Sequence, residues 1–274
     1  MKIPEYIKIS TKEFALLKKY IYDNIGISLS DQKVALLSAR LNKRLFLLNF
    51  KTFMEYYEYL QNNTQEYTKF INAISTNVTY FFREDHHWKF LANNLDKLFK
   101  NQKKIRIWSS ACSTGEEPYS MSIFLYEHLQ NIEQFDIKIL ATDISHAAIA
   151  KAQKGIYLKE QIDDISSYYH LKKYFIPKEK DKLQIKQEIK QLVLFRTFNL
   201  VYGDYHIFKK TNFDIIFCRN VLIYFDEQTR EKVTMNLVNQ LRDGGYLFIG
   251  HSESLMSHKH LKYIAPSIYQ KKGK

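Results

Sequence analysis

The sequence predicts a doubly wound α/β domain preceded by a smaller, all-helical domain. Three observations support this fold class. Apolar residues recur at helical spacing through residues 10–75, whereas from Ile105 onward short apolar runs alternate with helical segments. A turn that contains Gly115 joins the first of these runs to the helix after it. We therefore predict domains at residues 1–75 and 76–274, with a subdomain inserted at about 155–198.

The helical domain is predicted from caps and from one amphipathic helix. Ser10 or Thr11 can cap a first helix, and Ser30 or Asp31 can start a second one. The second helix places five apolar residues on one face: Val34, Leu37, Leu41, Leu45 and Leu48. Beside that face runs a basic stripe, which consists of Lys33, Arg40 and Arg44. Such a stripe is usually a solvated helix face, and a surface for an acidic partner is the alternative.

Four strands and three helices are predicted in the α/β domain. The strands are Ile105–Ser109, Ile137–Thr142, Asp214–Cys218 and Tyr246–Gly250. The helices are Pro118–Leu129, His146–Gln153 and Glu227–Leu241, the last of them closed by Asp243-Gly244-Gly245. In the insertion we expect residues 156–175 to be largely helical, and residues 183–189 and 192–198 to form a hairpin.

The composition is that of a folded protein with a basic surface. Of its 274 residues, 45% are hydrophobic and 15% aromatic, which is enough for a packed core. The formal charge of +12 favours an acidic partner, which could be nucleic acid, a membrane surface or an acidic protein. There is no signal-peptide pattern and no apolar run of membrane-spanning length, so we expect a cytoplasmic protein without membrane insertion. Cys112 and Cys218 lack metal-ligand spacing, and no metal site is expected.

The turn after the first strand has unusual charges for a nucleotide-binding loop. It contains one glycine, Gly115, where a dinucleotide-binding loop has three, and Glu116 and Glu117 follow it. Carboxylates at a helix start repel pyrophosphate, so a ligand with a cationic centre fits better. S-adenosylmethionine, with its sulfonium and ammonium groups, is such a ligand. Asp143 ends the second predicted strand, 28 positions after Gly115, and its carboxylate could bind ribose hydroxyls. The alternative is that Asp143 is the N-cap of the following helix.

Two further segments place polar groups beside aromatic or buried residues. In Asn77–Arg83, aromatic rings could hold a sulfonium by cation–π attraction, and Arg83 could bind a carboxylate through two nitrogens. A helix cap followed by two core phenylalanines is the alternative. The run Phe213–Asp226 starts as a buried strand and passes into Arg219-Asn220, at the sheet edge where α/β sites form. An ordinary core strand with a capping asparagine would leave this pair unexplained.

Taken together, these segments resemble the chemotaxis receptor methyltransferases, the CheR-type protein-glutamate O-methyltransferases. The matching blocks follow the family order and are Asn77–Arg83, Trp108–Ser120, Ala141–Ile144, Phe213–Asp226 and Gly250–Ser254. The resemblance implies a Rossmann-like class I methyltransferase domain with an inserted small antiparallel β-subdomain, which binds S-adenosylmethionine and needs no metal. The implied reaction moves a methyl group to glutamate side chains of chemoreceptors for sensory adaptation, forming methyl esters and S-adenosylhomocysteine.

The resemblance also implies roles for individual residues. Contacts with the cofactor are implied for nine of them: Asn77, Thr79, Arg83, Glu117, Asp143, Asn199, Leu200, Arg219 and Asn220. Glu117 rather than Glu116 matches the cofactor-binding carboxylate, and Asp143 matches the ribose-binding one. Arg83 and Tyr224 are the implied catalytic residues, beside the transferred methyl group and the reacting carboxylate. The helical domain, with its basic stripe, would face the acidic methylation helices of a receptor.

One departure from the family pattern concerns the partner, and two alternatives concern the activity. Some family members bind a short peptide at the receptor C-terminus through a glycine-containing loop of the inserted subdomain. The corresponding residues here, 176–182, are few and include no glycine, which favours direct binding of the methylation region over tethering. A nucleic-acid methyltransferase would fit the basic charge, but its Asn/Asp-Pro-Pro-aromatic and C-x-x-C motifs are missing, so no nucleic acid is expected. A scaffold that binds S-adenosylmethionine or a receptor without turnover is the non-enzymatic alternative.

Overall fold

The computed structural model describes residues 6–99, 102–163, 171–208, 211–255 and 258–273. The helices in these ranges are α1 (Thr11–Ile25), α2 (Val34–Leu47), α3 (Phe53–Gln61), α4 (Thr64–Ile74), α5 (Asp85–Phe99), α6 (Glu116–His128), α7 (His146–Lys154), α8 (Glu160–Asp163), α9 (Gln187–Lys190) and α10 (Glu227–Gln240). The strands are β1 (Lys104–Ser109), β2 (Asp136–Asp143), β3 (Ile156–Leu158), β4 (Phe175–Glu179), β5 (Lys182–Ile185), β6 (Val193–Thr197), β7 (Phe213–Cys218), β8 (Leu241–Ile249), β9 (Leu261–Ala265) and β10 (Ile268–Lys271). Across the described ranges, no helix has the length and apolar character needed to span a bilayer.

Helices α1 to α4 form the N-terminal domain, which confirms the helical prediction for this part of the chain. Two of them begin with a capping box, Ser10 with Glu13 for α1 and Thr52 with Glu55 for α3, which satisfies amide groups that a first turn leaves free. The predicted apolar face of α2 is turned inward. It joins a core of buried side chains that includes Phe14, Leu17, Leu37, Leu41, Leu45, Tyr56 and Phe70.

The second domain is built on a seven-stranded sheet with the order β6-β2-β1-β7-β8-β10-β9. The first five strands in this order run parallel, and β10 pairs antiparallel with both β8 and β9. The chain enters the middle of the sheet at β1, continues to β2 on one side, and later returns to β7 on the other side. Loops that follow β1 and β7 diverge at this switch point, where doubly wound sheets form a binding crevice. The predicted fold class is therefore confirmed.

Both faces of the sheet are covered at its centre, which explains why every residue of β7 is buried. Along β7, Ile215 and Phe217 pack with α5 and α6 on one face. Ile216 and Cys218 alternate with them and pack with α10 on the other face. The rings of Phe217 and Phe248 stack with centroids 4.5 Å apart, so that β7 and β8 share one aromatic core.

The insertion folds differently from the sequence prediction. Strands β3, β5 and β4 form a small antiparallel sheet in that order, and β6 lies parallel to β2 in the main sheet. The predicted hairpin of residues 183–189 with 192–198 is therefore wrong. The second half of the predicted hairpin, β6, joins the main sheet because Phe195 packs on Tyr119 of α6, with ring centroids 5.5 Å apart. Residues 156–175 begin with β3 and are helical only at 160–163 and 171–174 among those described, while 164–170 lie outside them.

The predicted end of the last helix is also corrected. Helix α10 ends at Gln240, and Asp243-Gly244-Gly245 lies within β8. Gly244 has a φ of 75°, and its carbonyl accepts a hydrogen bond from Nε2 of Gln270 on β10 at 2.9 Å. The glycines thus accommodate an irregularity at the start of a strand, where β8 shifts its register against β7.

The two domains meet beside the carboxyl ends of the parallel strands. The side-chain amide of Asn199 donates to a carbonyl near the end of α1 at 2.9 Å, and the Ser28 N–H donates to the carbonyl of Tyr224 at 2.8 Å. On α4, Oδ1 of Asn72 accepts a hydrogen bond from the Ser145 hydroxyl at 2.8 Å, at the start of α7. The helical domain therefore borders the edge of the sheet at which a ligand site is expected.

Candidate functional site

The turn between β1 and α6 is held by the strands on both sides of it. The Ser110 N–H donates to a carbonyl of β7 and the Cys112 N–H donates to a carbonyl of β2, both at 2.8 Å. Gly115 has a φ of 97°, and a Cβ atom there would lie 2.8 Å from Cβ of Ala152 on α7. Glycine is the residue that adopts this φ without strain, and here it also allows the turn to pack closely on α7.

The two glutamates after Gly115 have different surroundings. Glu116 is buried and accepts a hydrogen bond from the Thr114 hydroxyl at 2.7 Å. Glu117 accepts one from the Ser109 hydroxyl at 2.6 Å and lies 3.3 Å from Nη1 of Arg219. Burial raises the pKa of both carboxyls, and for Glu117 the charge of Arg219 opposes that rise. Of the two, Glu117 is therefore the one in contact with a predicted site residue from another strand.

A buried ion network connects Glu117 to the segment before α5. The side chain of Arg219 is 2% exposed, and its guanidinium lies 3.3 Å from Glu117 and 3.4 Å from Glu84. It also donates to the backbone carbonyl of Arg83, whose own charge opposes the rise in the pKa of Glu117. Arg219, Glu117 and Glu84 thus converge between the end of β7 and the starts of α6 and α5. The sequence prediction missed Glu84, because its partner Arg219 comes from a remote segment of the chain.

Asp143, at the end of β2, fastens the turn after β1. One carboxylate oxygen accepts the Ser113 N–H at 2.8 Å, and the other accepts the Ser145 N–H at 2.9 Å. The N-cap of α7 is Ser145, whose hydroxyl accepts the Ala148 N–H at 3.1 Å, so the helix-cap alternative for Asp143 is wrong. Burial raises the pKa of Asp143, and the backbone hydrogen bonds oppose this. The side chain stands where nucleoside-binding sheets contact a ribose.

Asn220 follows β7 in a left-handed backbone conformation with a φ of 57°. Glu253 holds this loop and the loop after β8 together by accepting three backbone N–H groups, from Asn220 at 3.1 Å, Gly250 at 2.5 Å and Ile223 at 3.2 Å. A Cβ atom at Gly250 would lie 2.5 Å from Nδ2 of Asn220, so glycine permits the close contact of the two loops. Glu253 is a positioning residue that the sequence prediction did not include among the site residues.

Three buried polar atoms at these loops have no hydrogen-bond partner among the described residues: Oγ of Ser113, Nε of Arg219 and Oδ1 of Asn220. A buried polar atom without a partner costs about 1–3 kcal/mol, so a ligand that supplies donors and acceptors here would be bound favourably. The set comprises a hydroxyl, a cationic N–H and an amide oxygen. It suits a ligand that has hydroxyl, ammonium and carboxylate groups, as S-adenosylmethionine has.

The remaining predicted residues of the first block form an open rim. Asn77 is exposed and Thr79 is half-buried, on an extended segment between α4 and α5. The guanidinium of Arg83 donates to the carbonyl of Val78 at 3.2 Å and lies 5.5 Å from the ring centroid of Tyr80. Arg83 thus contacts the rim with its side chain and the buried network with its backbone.

Asn199 and Leu200 follow β6 and face the domain interface. Oδ1 of Asn199 accepts the N–H groups of Val201 at 2.9 Å and Tyr202 at 3.2 Å, while its Nδ2 binds the N-terminal domain. Leu200 is buried in the core on the α10 side of the sheet. The structure therefore uses the Asn199 side chain to join the domains. Tyr224, also at this interface, is half-buried.

The basic stripe does not form one uniform surface. Nε and Nη2 of Arg44 donate to the two carboxylate oxygens of Glu66 at 2.8 Å and 2.7 Å, and Glu66 is 1% exposed. Arg40 donates to the carbonyl of Ile74 and to the hydroxyl of Thr76, the latter at 2.8 Å. Lys33 is exposed. The three residues thus differ in their surroundings, and the charge of Arg44 is required by a buried carboxylate on α4.

The strand order and the side chains at the carboxyl ends of β1, β2 and β7 define an α/β domain suited to a nucleoside cofactor with a cationic group, joined to an all-α domain. Comparison with known families agrees with both parts. Residues 12–75 match the all-alpha domain of the CheR methyltransferases, and residues 77–269 match their SAM-binding domain. The chain belongs to the CheR methyltransferase family, and its second domain is a SAM-binding methyltransferase domain.

Relatives of similar length support this assignment. The chain is 41% identical over 274 residues to a chemotaxis protein methyltransferase of Borreliella burgdorferi, covering 97% of this chain and 96% of the relative. It is 37% identical over 263 residues to chemotaxis protein methyltransferase 2 of Pseudomonas aeruginosa, covering 94% and 92% of the two chains. The chemotaxis protein methyltransferase of Escherichia coli is 36% identical over 260 residues, covering 93% and 88%.

Proposed function

We propose that this protein transfers the methyl group of S-adenosylmethionine to glutamate side chains in the cytoplasmic methylation helices of chemoreceptors. The products would be glutamate methyl esters and S-adenosylhomocysteine. The main support is the placement of Glu117, Asp143 and Arg219 at the carboxyl ends of three adjacent parallel strands. This arrangement occurs in a chain whose relatives are named chemotaxis protein methyltransferases.

Side chains at the strand ends are proposed to hold the cofactor. Asp143 would accept hydrogen bonds from the ribose hydroxyls, and Glu117 would accept them from the ammonium group. The unpaired Oδ1 of Asn220 would receive a donor of the cofactor. When bound, S-adenosylmethionine supplies an electrophilic methyl group on its sulfonium. Further contacts are proposed for Asn77, Thr79, Arg83, Asn199, Leu200 and Arg219.

The substrate requires no general base. A free glutamate has a pKa of about 4.3, so its side chain is already a carboxylate at neutral pH. Arg83, which is half-buried at the rim and always protonated, would pair with this carboxylate, and the hydroxyl of Tyr224 would orient it. The protein would contribute the alignment of carboxylate oxygen, methyl carbon and sulfur, and the exclusion of water from them.

Receptor helices are proposed to approach the N-terminal domain at Lys33 and Arg40. The net charge of +12 would favour the encounter with acidic helices, whereas Arg44 would act indirectly, by stabilising the domain. Residues 176–182 comprise most of β4, the turn after it and the first residue of β5, and they contain no glycine, so we propose direct binding of the methylation region without a tether. Such substrates would put the protein in the cytoplasm.

The proposal is tested with methyl-labelled S-adenosylmethionine and the purified cytoplasmic fragment of a chemoreceptor. We expect label on the fragment that mild alkali releases as methanol, because esters hydrolyse under these conditions and methylated amines do not. A fragment with glutamine at every methylation site is the matched control and should remain unlabelled. Alkali-stable label, or label on RNA in a parallel reaction, would contradict glutamate methylation. Cofactor binding without transfer to either substrate would identify a scaffold.

A further inference from the structure

A cluster of potential metal ligands lies next to the buried ion network, at the start of α5. Glu84, His86 and His87 each offer one ligand atom, and these atoms all lie within 4.8 Å of one another. Ser267, in the turn between β9 and β10, contacts both imidazoles through its hydroxyl. Glu84 also pairs with Arg219, so its carboxylate is shared between this cluster and the cofactor site.

The Ser267 hydroxyl determines which ring nitrogens are free. Its single proton is donated to the carbonyl of Pro266 at 2.7 Å, so towards its other neighbours the oxygen is an acceptor. With that proton on the Pro266 carbonyl, Nε2 of His86, at 3.1 Å, and Nε2 of His87, at 2.9 Å, are the donors to the Ser267 oxygen. In a neutral imidazole this leaves Nδ1 unprotonated, with a lone pair available to a cation.

The free Nδ1 of His87 faces a second acceptor. It lies 3.4 Å from Oε2 of Glu84, and neither atom has a hydrogen-bond partner among the described residues. His87 is 0% exposed, so water cannot readily separate the two. Two tetrahedral ligands at about 2.05 Å from Zn²⁺ lie about 3.3 Å apart, close to the observed separation. The Ser267 contact is of the kind that orients metal-bound imidazoles, because it fixes the nitrogen opposite the metal.

We propose that Glu84, His86 and His87 form a Zn²⁺ site with a fourth position open to water, and that zinc bound there inhibits the enzyme. His86 is half-buried, which connects the site to solvent. Oε2 of Glu84 lies 3.4 Å from Nη2 of Arg219, so a metal on this oxygen competes with the guanidinium for it. Arg219 would then lose one of the two carboxylates that hold it. The inhibition rests on the proposed function, whereas the binding of zinc does not.

Zinc binding is tested by isothermal titration of the metal-free, tag-free full-length protein with ZnCl₂. We expect one equivalent to bind. His86→Asn should weaken binding at least about tenfold, and Ser267→Gly, which suits the φ of 56° at that position, should weaken it about 10–100-fold. His206→Asn, at an exposed histidine, is the matched control and should bind as the wild type does. Absence of saturable binding, or wild-type affinity in folded His86→Asn protein, would overturn the site.

Inhibition is tested by measuring methyl transfer to the receptor fragment over a series of zinc concentrations. Activity should fall in the wild type and return when EDTA is added, and His86→Asn should need at least about tenfold more zinc for the same loss. Zinc binding without any loss of activity would overturn the inhibitory role. A wild-type protein that binds zinc but transfers no methyl group in zinc-free buffer would contradict the proposed function instead.

Discussion

Replacing Arg44 by methionine would leave the carboxylate of Glu66 buried without its two guanidinium hydrogen bonds. The remaining contacts of that carboxylate are the Tyr56 hydroxyl at 3.0 Å and Nζ of Lys69 at 3.9 Å. Removing one partner of a buried ion pair costs about 3–5 kcal/mol. Since two weaker partners remain, we expect the free energy of unfolding to fall by an amount near the lower limit, about 3 kcal/mol. This corresponds to a change of about 150-fold in the folding equilibrium constant.

The assay is urea unfolding of the full chain followed by two signals. Both tryptophans, Trp88 and Trp108, lie in the second domain, so their fluorescence does not report directly on the helical domain. Far-UV circular dichroism reports on the helices of both domains. Arg44→Met should lower the urea midpoint seen by dichroism more than the midpoint seen by fluorescence. Lys33→Met, at an exposed position just before the same helix, is the matched control and should change stability by less than about 0.5 kcal/mol.

Glu66→Gln and the double variant complete a double-mutant cycle with Arg44→Met. A coupling energy near zero would refute the view that the two side chains act as a pair. The reasoning would also be wrong if Arg44→Met kept both wild-type midpoints but lost receptor methylation. That result would make Arg44 a docking residue, as the sequence prediction had it.

Three further predictions concern the site and the pH dependence of stability. Arg83→Ala should abolish methyl-ester formation with an unchanged dichroism spectrum, and near-normal turnover would refute its role. Gly115→Ala places a Cβ 2.8 Å from Ala152 at a φ of 97°, so it should lower the free energy of unfolding by about 1–3 kcal/mol. It should also weaken the binding of S-adenosylhomocysteine in calorimetry, and unchanged affinity would exclude the turn from the site. Burial lowers the pKa of His258 from 6.5, so below pH 6.5 the unfolded chain binds this proton more readily than the folded chain. As the pH is lowered below 6.5, the free energy of unfolding should therefore fall by up to about 1.4 kcal/mol per pH unit. His258→Gln should reduce that slope in urea titrations at pH 7.5 and 5.5, whereas His260→Gln should keep it.

The central strands could be predicted because burial on both faces gives them apolar runs, and the helices between them because their apolar residues recur at helical spacing. The prediction for Ile105–Ser109 differs from β1 at one end by one residue, and the prediction for Glu227–Leu241 differs from α10 by one residue. The insertion could not be predicted in the same way. Its strands β4 and β5 have only five and four residues; four residues of β4 are exposed and β5 is of mixed burial, so no apolar period marks them and pairing decides their structure.

Some residues of the candidate site could also be predicted from the sequence, and others could not. Glu117, Asp143 and Arg219 could be located because they lie at or just after the carboxyl ends of parallel strands, which share one edge of the sheet. The role of Glu84 depends on Arg219, which a remote segment of the chain contributes, and no local pattern indicates such a pair. The same applies to Arg44: helical periodicity places it on a face of α2 but does not show that α4 covers that face with a buried carboxylate.

The backbone of the turn after β1 adds to the argument that the charges of its glutamates make against pyrophosphate. The negative charge of Glu117 is offset by the guanidinium of Arg219 at 3.3 Å, so this charge alone would repel a phosphate only weakly. Phosphate-binding turns aim free backbone N–H groups at their ligand. Here four such groups are bonded within the protein, those of Ser110, Cys112, Ser113 and Gly115. These four amides are not available to a ligand, whereas the carboxylates of Asp143 and Glu117 can accept hydrogen bonds from hydroxyl and ammonium groups. Those are the donors that S-adenosylmethionine carries on its ribose and its methionyl end.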